Sequence, residues 1–128
     1  MKKNKEIELA ILPGTYTIHR LDPGRQLPEI NGGLYSVTCS EDEISLVCSE
    51  DLIIPSTVRS PGWKCLKVIG PLELDQVGVL HDLSRPLKDA GISIFAVSTY
   101  DTDYLLIPGS LLDKAVKVLS ATYLIKTE

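Results

Sequence analysis

The densest chemistry in this chain is a polar knot, Thr99-Tyr100-Asp101-Thr102-Asp103, set between two apolar runs in "AVSTYDTDYLLIPGS". Asp103 supplies a negative charge suited to an ammonium or guanidinium. Upstream, Asp75, Gln76, Val77 and Gly78 lead into a helical pattern. A helix start exposes unpaired N–H groups and the positive end of its dipole, which suits a carboxylate. Gly78 lets a backbone or a ligand approach closely. A free amino acid carries both complementary charges within a few ångströms. The same residues also have a plainer reading. Aspartate and threonine are common turn residues, and Asp75 is a common N-cap. On residue types alone both readings stand.

Other chemistries find less support. His19 and His81 have no cysteine or serine elbow nearby, and no H-E-x-x-H, G-x-S-x-G or glycine-rich phosphate loop occurs. No catalytic residue is assigned, and the chain reads as non-enzymatic. Cys39, Cys48 and Cys65 are spaced 9 and 17 apart, which fits neither C-x-x-C nor a zinc pattern. They read as small buried hydrophobes, and neither a metal nor a cofactor is expected. The 128 residues are 44% hydrophobic and 23% charged, an ordinary globular balance. A net charge of −4 argues against a nucleic-acid partner. No apolar run would serve as a signal-peptide core or span a bilayer, so the expectation is a soluble, cytoplasmic protein with no membrane partner.

The elements that must position the knot are clearest in the C-terminal half. Lys64–Ile69 is an apolar, β-compatible run closed by Gly70-Pro71. Asp75–Ala90 reads as a helix with Val77, Leu80, Leu83, Leu87 and Ala90 in one stripe, Asp75 as N-cap and Gly91 as the glycine past its end. Pro86 should kink it or restart its last turn. Ile92–Ser98 and Asp103–Ile107 read as antiparallel strands joined by the knot. Ser110 and Asp113 resemble a capping box before a helix with Leu112, Ala115, Val116 and Leu119 in its stripe. Tyr123–Lys126 is a last strand. The order β-α-β-β-α-β is the ferredoxin-like split unit, an antiparallel sheet with both helices on one face. The N-terminal half looks like a worn copy 60 residues upstream, with Val37 on Val97, Thr38 on Ser98, Glu41 on Asp101, Glu43 on Asp103 and Leu46 on Leu106. Its strands would be Ile7–Leu12 and Thr15–Leu21. Pro23–Gly33 is too rich in proline and glycine for a first helix. Asp51–Thr57 would form a short helix, and Ser60-Pro61-Gly62 the joint between halves.

"AVSTYDTDYLLIPGSLLDKAV" and "WKCLKVIGPLELDQVGVLHDLSRPLKDAGISIF" resemble the ACT-domain family, in the subgroup that includes the cytosolic arginine-sensing proteins of animals and their small bacterial relatives. The elements that carry the resemblance are Trp63-Lys64-Cys65, Gly78, Ser84-x-Pro86-Leu87 and Ser98-Thr99-Tyr100-x-Thr102-Asp103. "LYSVTCSEDEISLVCSED" extends it into the first half. The resemblance implies an α+β fold of tandem ferredoxin-like ACT units, an abbreviated one at 1–60 and a complete one at 61–128. It implies regulatory binding of an amino acid or similar zwitterion at an interface between ACT units. Asp75, Gln76, Val77 and Gly78 would face the ligand from the loop into the helix, and Thr99, Tyr100 and Asp103 from the strand end. Asp82 and Leu83 of a partner unit would close the pocket, so two such units imply a homodimer. Gln76 stands where the arginine sensors carry an acid, which weakens the field for a cationic side chain. The other class the resemblance allows is a ligand-free oligomerisation or protein-interaction module.

Overall fold

Strand β5, Val58–Ile69, is the element on which the rest is built. The structure, a computed structural model, describes residues 7–29, 32–56, 58–69 and 77–128. The chain forms two compact units, Gly14–Trp63 and the described part of Met1–Pro13 with Lys64–Glu128. β5 runs through both, its first half in one unit and its second half in the other. The sequence division at 60/61 does not coincide with them. Strand β1, Glu8–Ile11, pairs antiparallel with Leu66–Ile69 rather than with the N-terminal strands. An apolar run specifies that a strand is buried, not which strand it joins.

In the unit containing Lys64–Glu128, β5 is followed by helix α1 (Val79–Asp89), strands β6 (Phe95–Ser98) and β7 (Asp103–Pro108), helix α2 (Leu112–Leu119) and strand β8 (Leu124–Thr127). This is the ferredoxin-like order. β6 pairs with β7, β7 with β5, β5 with β1, and β1 runs parallel to β8. The N-terminal strand thus enters the sheet between the first and last strands of the βαββαβ unit. Leu9, Leu66, Val68, Leu105 and Ile107 present one sheet face to Leu83 and Leu87 of α1 and Ala115 and Leu119 of α2. Alternation in the strands and the three- and four-residue spacing in the helices make that single core. Truncating any of these leucines to alanine removes about 2–5 kcal/mol.

Both ends of α1 are set by glycine. Gly78 stands at the N-cap with φ 84, and no side chain caps the helix. Residues 70–76, including the expected cap Asp75, lie outside the described residues. At the other end Gly91 (φ 74) donates to the Lys88 carbonyl at 3.0 Å and Ile92 to the Leu87 carbonyl at 2.9 Å. That pair of bonds is the Schellman arrangement. Pro86 neither ends nor restarts α1. The helix runs through it to Asp89, anchored on both sides by buried Leu83 and Leu87. The Ser110–Asp113 capping box does not form. The chain enters α2 through a 3-10 turn, Gly109–Leu111, without a side-chain cap.

The unit Gly14–Trp63 contains strands β2 (Tyr16–Leu21), β3 (Ser36–Cys39) and β4 (Ile44–Ser49) with the first half of β5, all antiparallel in the order β3-β4-β2-β5. Among its described residues there is no helix, so the expected Asp51–Thr57 helix is absent through Ser56, and Thr57 lies outside the described residues. Irregular chain covers the core face instead. Leu27, Tyr35 and Leu52 pack against Leu21, Ile44, Leu46, Cys48 and Ile54. Side chains pin this chain to backbone: Tyr35 Oη donates to Pro28 O at 3.0 Å and Arg25 to Pro55 O at 2.8 Å. Ser60-Pro61-Gly62 is not a loop but part of β5, and the two units divide just after it, between Trp63 and Lys64. The β2–β5 register slips between Tyr16↔Trp63 and Ile18↔Ser60, and Gly62 at φ 83 takes the extra residue as a bulge.

The two hairpins that the sequence aligns at a spacing of 60 share one pattern of turn bonds at a different spacing. Ser40 N–H donates to Glu43 O at 2.9 Å, and Thr99 N–H to Thr102 O at 2.8 Å. In both turns the first hydroxyl donates to the same carbonyl and accepts from the fourth residue's N–H. The two hairpins therefore match at a spacing of 59, since 99 − 40 = 102 − 43.

Candidate functional site

The polar knot is a two-residue hairpin loop between β6 and β7, with Tyr100 and Asp101 at its tip. Thr99 and Thr102 close it, and no described non-glycine residue has positive φ, so the tip turns in right-handed backbone without glycine. The threonine hydroxyls are used by the turn. Thr99 Oγ1 donates to Thr102 O at 3.1 Å and accepts from Thr102 N–H at 3.3 Å. Thr102, only 5% exposed, donates its hydroxyl to Val68 O at 2.6 Å. This bond ties the hairpin to the C-terminal end of β5.

Register extends that end of the sheet. Glu8 pairs with Ile69 and with Leu124, and Ser98 with Asp103. Glu8, Ile69, Asp103 and the start of β8 therefore share the end from which the chain leaves β5 toward α1. Asp103 opens β7 on the helix-bearing face, two residues before core Leu105. Its Oδ1 accepts from Ser98 Oγ at 2.6 Å, and no second partner for the carboxylate is present among the described residues. The short charge-assisted bond orients the acid and leaves an oxygen available to a cation. Tyr100 is 79% exposed beside it.

Of the residues expected at the site, Thr99, Tyr100 and Asp103 lie together in the hairpin. Gly78 is the N-cap of α1, and Val77, almost fully exposed, precedes it. The first helical bond runs from Asp82 N–H to Gly78 O at 2.9 Å, so the amides before Asp82 have no intrahelical partner. Asp82 is exposed on the first turn. Burial, and secondarily the charge of Asp82, push the Tyr123 phenol above its usual pKa. Leu83 is fully buried in the core and packs rather than presents. Asp75 and Gln76 lie outside the described residues. Sequence reasoning missed the supporting roles of Ser98 and Thr102. Recognising a two-residue loop would have found Ser98, because it forces residues 98 and 103 opposite each other. No group of three His, Cys, Asp or Glu able to hold a metal occurs among the described residues, and no helix among them is long and apolar enough to cross a membrane.

The comparisons with known proteins agree with this architecture. The model of the ACT domain matches residues 58–121, half of the chain. A second model, that of an N-terminal domain, matches residues 14–57. Over 70 residues the chain is 31% identical to the cytosolic arginine sensor for mTORC1 subunit 1 of Homo sapiens, covering 54% of this chain and 21% of that protein. The chain thus spans about a fifth of the length of the curated relatives it matches. The crystal structure of protein Atu0741 from Agobacterium tumefaciens aligns with a TM-score of 0.86 at 38% identity, over 95% of this chain and 93% of that one. The aspartate kinase of Clostridium acetobutylicum is similar in fold alone, with a TM-score of 0.62 at 12% identity over 90% of this chain and 34% of that one. With half its length matched by the domain model, over all but the last strand of the ferredoxin-like βαββαβ unit, the chain belongs to the ACT-domain family.

Proposed function

We propose that this chain is a non-catalytic regulatory module that binds a free amino acid or similar zwitterion beside the β6–β7 hairpin. One observation carries the reading. The Thr102–Val68 bond holds the hairpin at the sheet end from which β5 departs toward α1. There the oriented carboxylate of Asp103 can take an ammonium or guanidinium, and the amides at the start of α1 a carboxylate. Gly78 caps that start and Val77 precedes it, and Asp75 and Gln76 belong to the proposal by their place in the sequence. Asp82 of a second copy faces the ligand across a homodimer interface, while Leu83 acts through packing. The name of the human relative supports an amino acid as ligand and the cytosol as location. A protein target that reads the bound state belongs to the same proposal.

The test is a thermal-shift screen against free amino acids, arginine included, with the oligomeric state followed by light scattering. A ligand at a hundredfold excess over its dissociation constant adds about 2.7 kcal/mol to stability. Asp103→Asn keeps the shape and the acceptor for Ser98 but removes the charge, and abolishes the shift. A variant that responds like the wild type places the ligand elsewhere. The second reading is a ligand-free interaction module. Its support is that, among the described residues, β6 pairs with β7 alone and β8 with β1 alone, with Leu124 44% exposed on β8. A silent screen with a stable dimer favours it.

A further inference from the structure

The unit Gly14–Trp63 carries a pocket of about 310 Å³, partly open to solvent, that the hairpin site does not use. His19 contributes to its wall from the middle of β2, between Leu46 on β4 and Arg59 on β5. It is 3% exposed, a polar ring on a core-facing position. Its Nδ1 lies 3.1 Å from Ser56 Oγ, and that hydroxyl donates to Val58 O at 3.1 Å. A hydroxyl has one proton, so Ser56 accepts from Nδ1–H and the lone pair resides on Nε2. Nε2 is buried and has no hydrogen-bond partner among the described residues. A buried acceptor left unpaired is destabilising, and native structures keep few of them. Burial, and secondarily the charge of Arg59, lower the pKa of the ring and keep it a neutral acceptor.

The rest of the wall has a matching character. Leu52, Ile54 and Pro61 are apolar, and Ile53 is 94% exposed although it lines the cavity. Glu50 and Arg59 bring opposite charges to it, and neither is in an ion pair among the described residues. Residues 50–56 form neither helix nor strand, so a ligand group reaches Nε2 by parting irregular chain rather than a ladder.

We propose that this cavity is a second ligand site, independent of the hairpin, for an amino acid whose apolar side chain carries an N–H or O–H donor. The donor meets His19 Nε2, the ring lies against Leu52, Ile54 and Pro61, and Arg59 and Glu50 take the carboxylate and ammonium. An indole or a phenol meets that description.

The probes are L-tryptophan, L-tyrosine and L-phenylalanine, titrated into the intact chain while long-range proton–nitrogen spectra follow the histidine rings. Tryptophan or tyrosine moves the His19 Nε2 resonance saturably and leaves His81 still. Phenylalanine, lacking the donor, binds about tenfold more weakly, the worth of one hydrogen bond. Arg59→Ala weakens binding by a similar factor, and Asp103→Asn leaves it unchanged, which separates this site from the hairpin. The proposal is overturned if neither amino acid moves Nε2 up to about 10 mM, beyond the ~4 kcal/mol of a millimolar complex. It is overturned equally if phenylalanine binds as well, or if Arg59→Ala has no effect.

Discussion

Thr102→Val isolates the bond on which the candidate site rests. Valine keeps the β-branched shape, so no cavity opens, and only the hydroxyl bond to Val68 O is withdrawn. That bond is short, 2.6 Å, and Thr102 is 5% exposed, so the loss lies at a buried position. Withdrawing a donor from a buried carbonyl costs about 1–3 kcal/mol. At this chain length each kcal/mol moves the midpoint by about 3–4 °C, so a drop of roughly 3–12 °C is expected. Urea denaturation gives the cleaner readout: the midpoint falls while the slope, set by exposed surface, stays constant. Thr102→Ser keeps the hydroxyl and loses only a methyl, so it falls between wild type and valine. If Thr102→Val stays within about 0.5 kcal/mol of wild type, the low end of a net hydrogen bond, the hairpin is held by something else. Serine losing as much as valine would point to packing instead. The same loosening weakens any amino acid that docks against Asp103, so affinity and stability fall together in this variant.

His19 gives a pH dependence with a defined sign. Its pKa is lowered in the folded chain, by burial first and Arg59 second. Its contribution is complete above the unfolded value of about 6.5. As pH falls below that, the unfolded chain takes up a proton the folded one refuses, and stability declines. Urea midpoints measured between about pH 7.5 and 5.5 show the decline, and His19→Gln flattens it; an unaltered slope assigns it to other groups. Cys39 is exposed, whereas burial raises the thiol of Cys48 and pushes that of Cys65 up to about 12. A thiol reagent at mild alkaline pH labels Cys39 in the native chain and the other two only in denaturant. Rapid native labelling of Cys65 contradicts its burial. Asp82→Asn removes one of the two causes that raise the Tyr123 phenol, so its absorbance titration moves to lower pH. An unmoved titration separates Asp82 from Tyr123.

Much of the fold was legible because the signals were local. The stripe Leu83–Leu87 and the glycine at 91 fix where α1 packs and stops, whatever lies around them. Three features were not local. Strand β1 reads as an apolar run with no mark of its partner, and it joins the C-terminal unit. Ser60-Pro61-Gly62 reads as a break because proline and glycine usually end a strand. The register slip against β2 turns the pair into a bulge within β5. The Asp51–Thr57 helix was expected from a short run interrupted by Pro55, yet Leu52 and Ile54 serve the core better as irregular chain covering Leu46 and Cys48.

The candidate site turned on a register that differs by one residue. Aligned at 60, Glu43 falls on Asp103, and both halves seem to carry an acid at the same place. The turn bonds match at 59, so Glu43 stands where Thr102 is, and Ile44 where Asp103 is. In a strand, one residue exchanges the two faces. Ile44 is accordingly buried in the core of its unit, while Asp103 stands at a sheet end held by Ser98. Leu46 and Leu105 then fall together as core residues, as do Cys48 and Ile107. Apolar identity alone did not separate the two alignments, since both put aliphatic residues on aliphatic residues. The hydroxyl that closes each turn does. The carboxylate suited to a ligand's cation is therefore present in one hairpin and replaced by a packing residue in the other. Two similar hairpins offer one acidic wall, and a ligand in the N-terminal unit has to be recognised by other means.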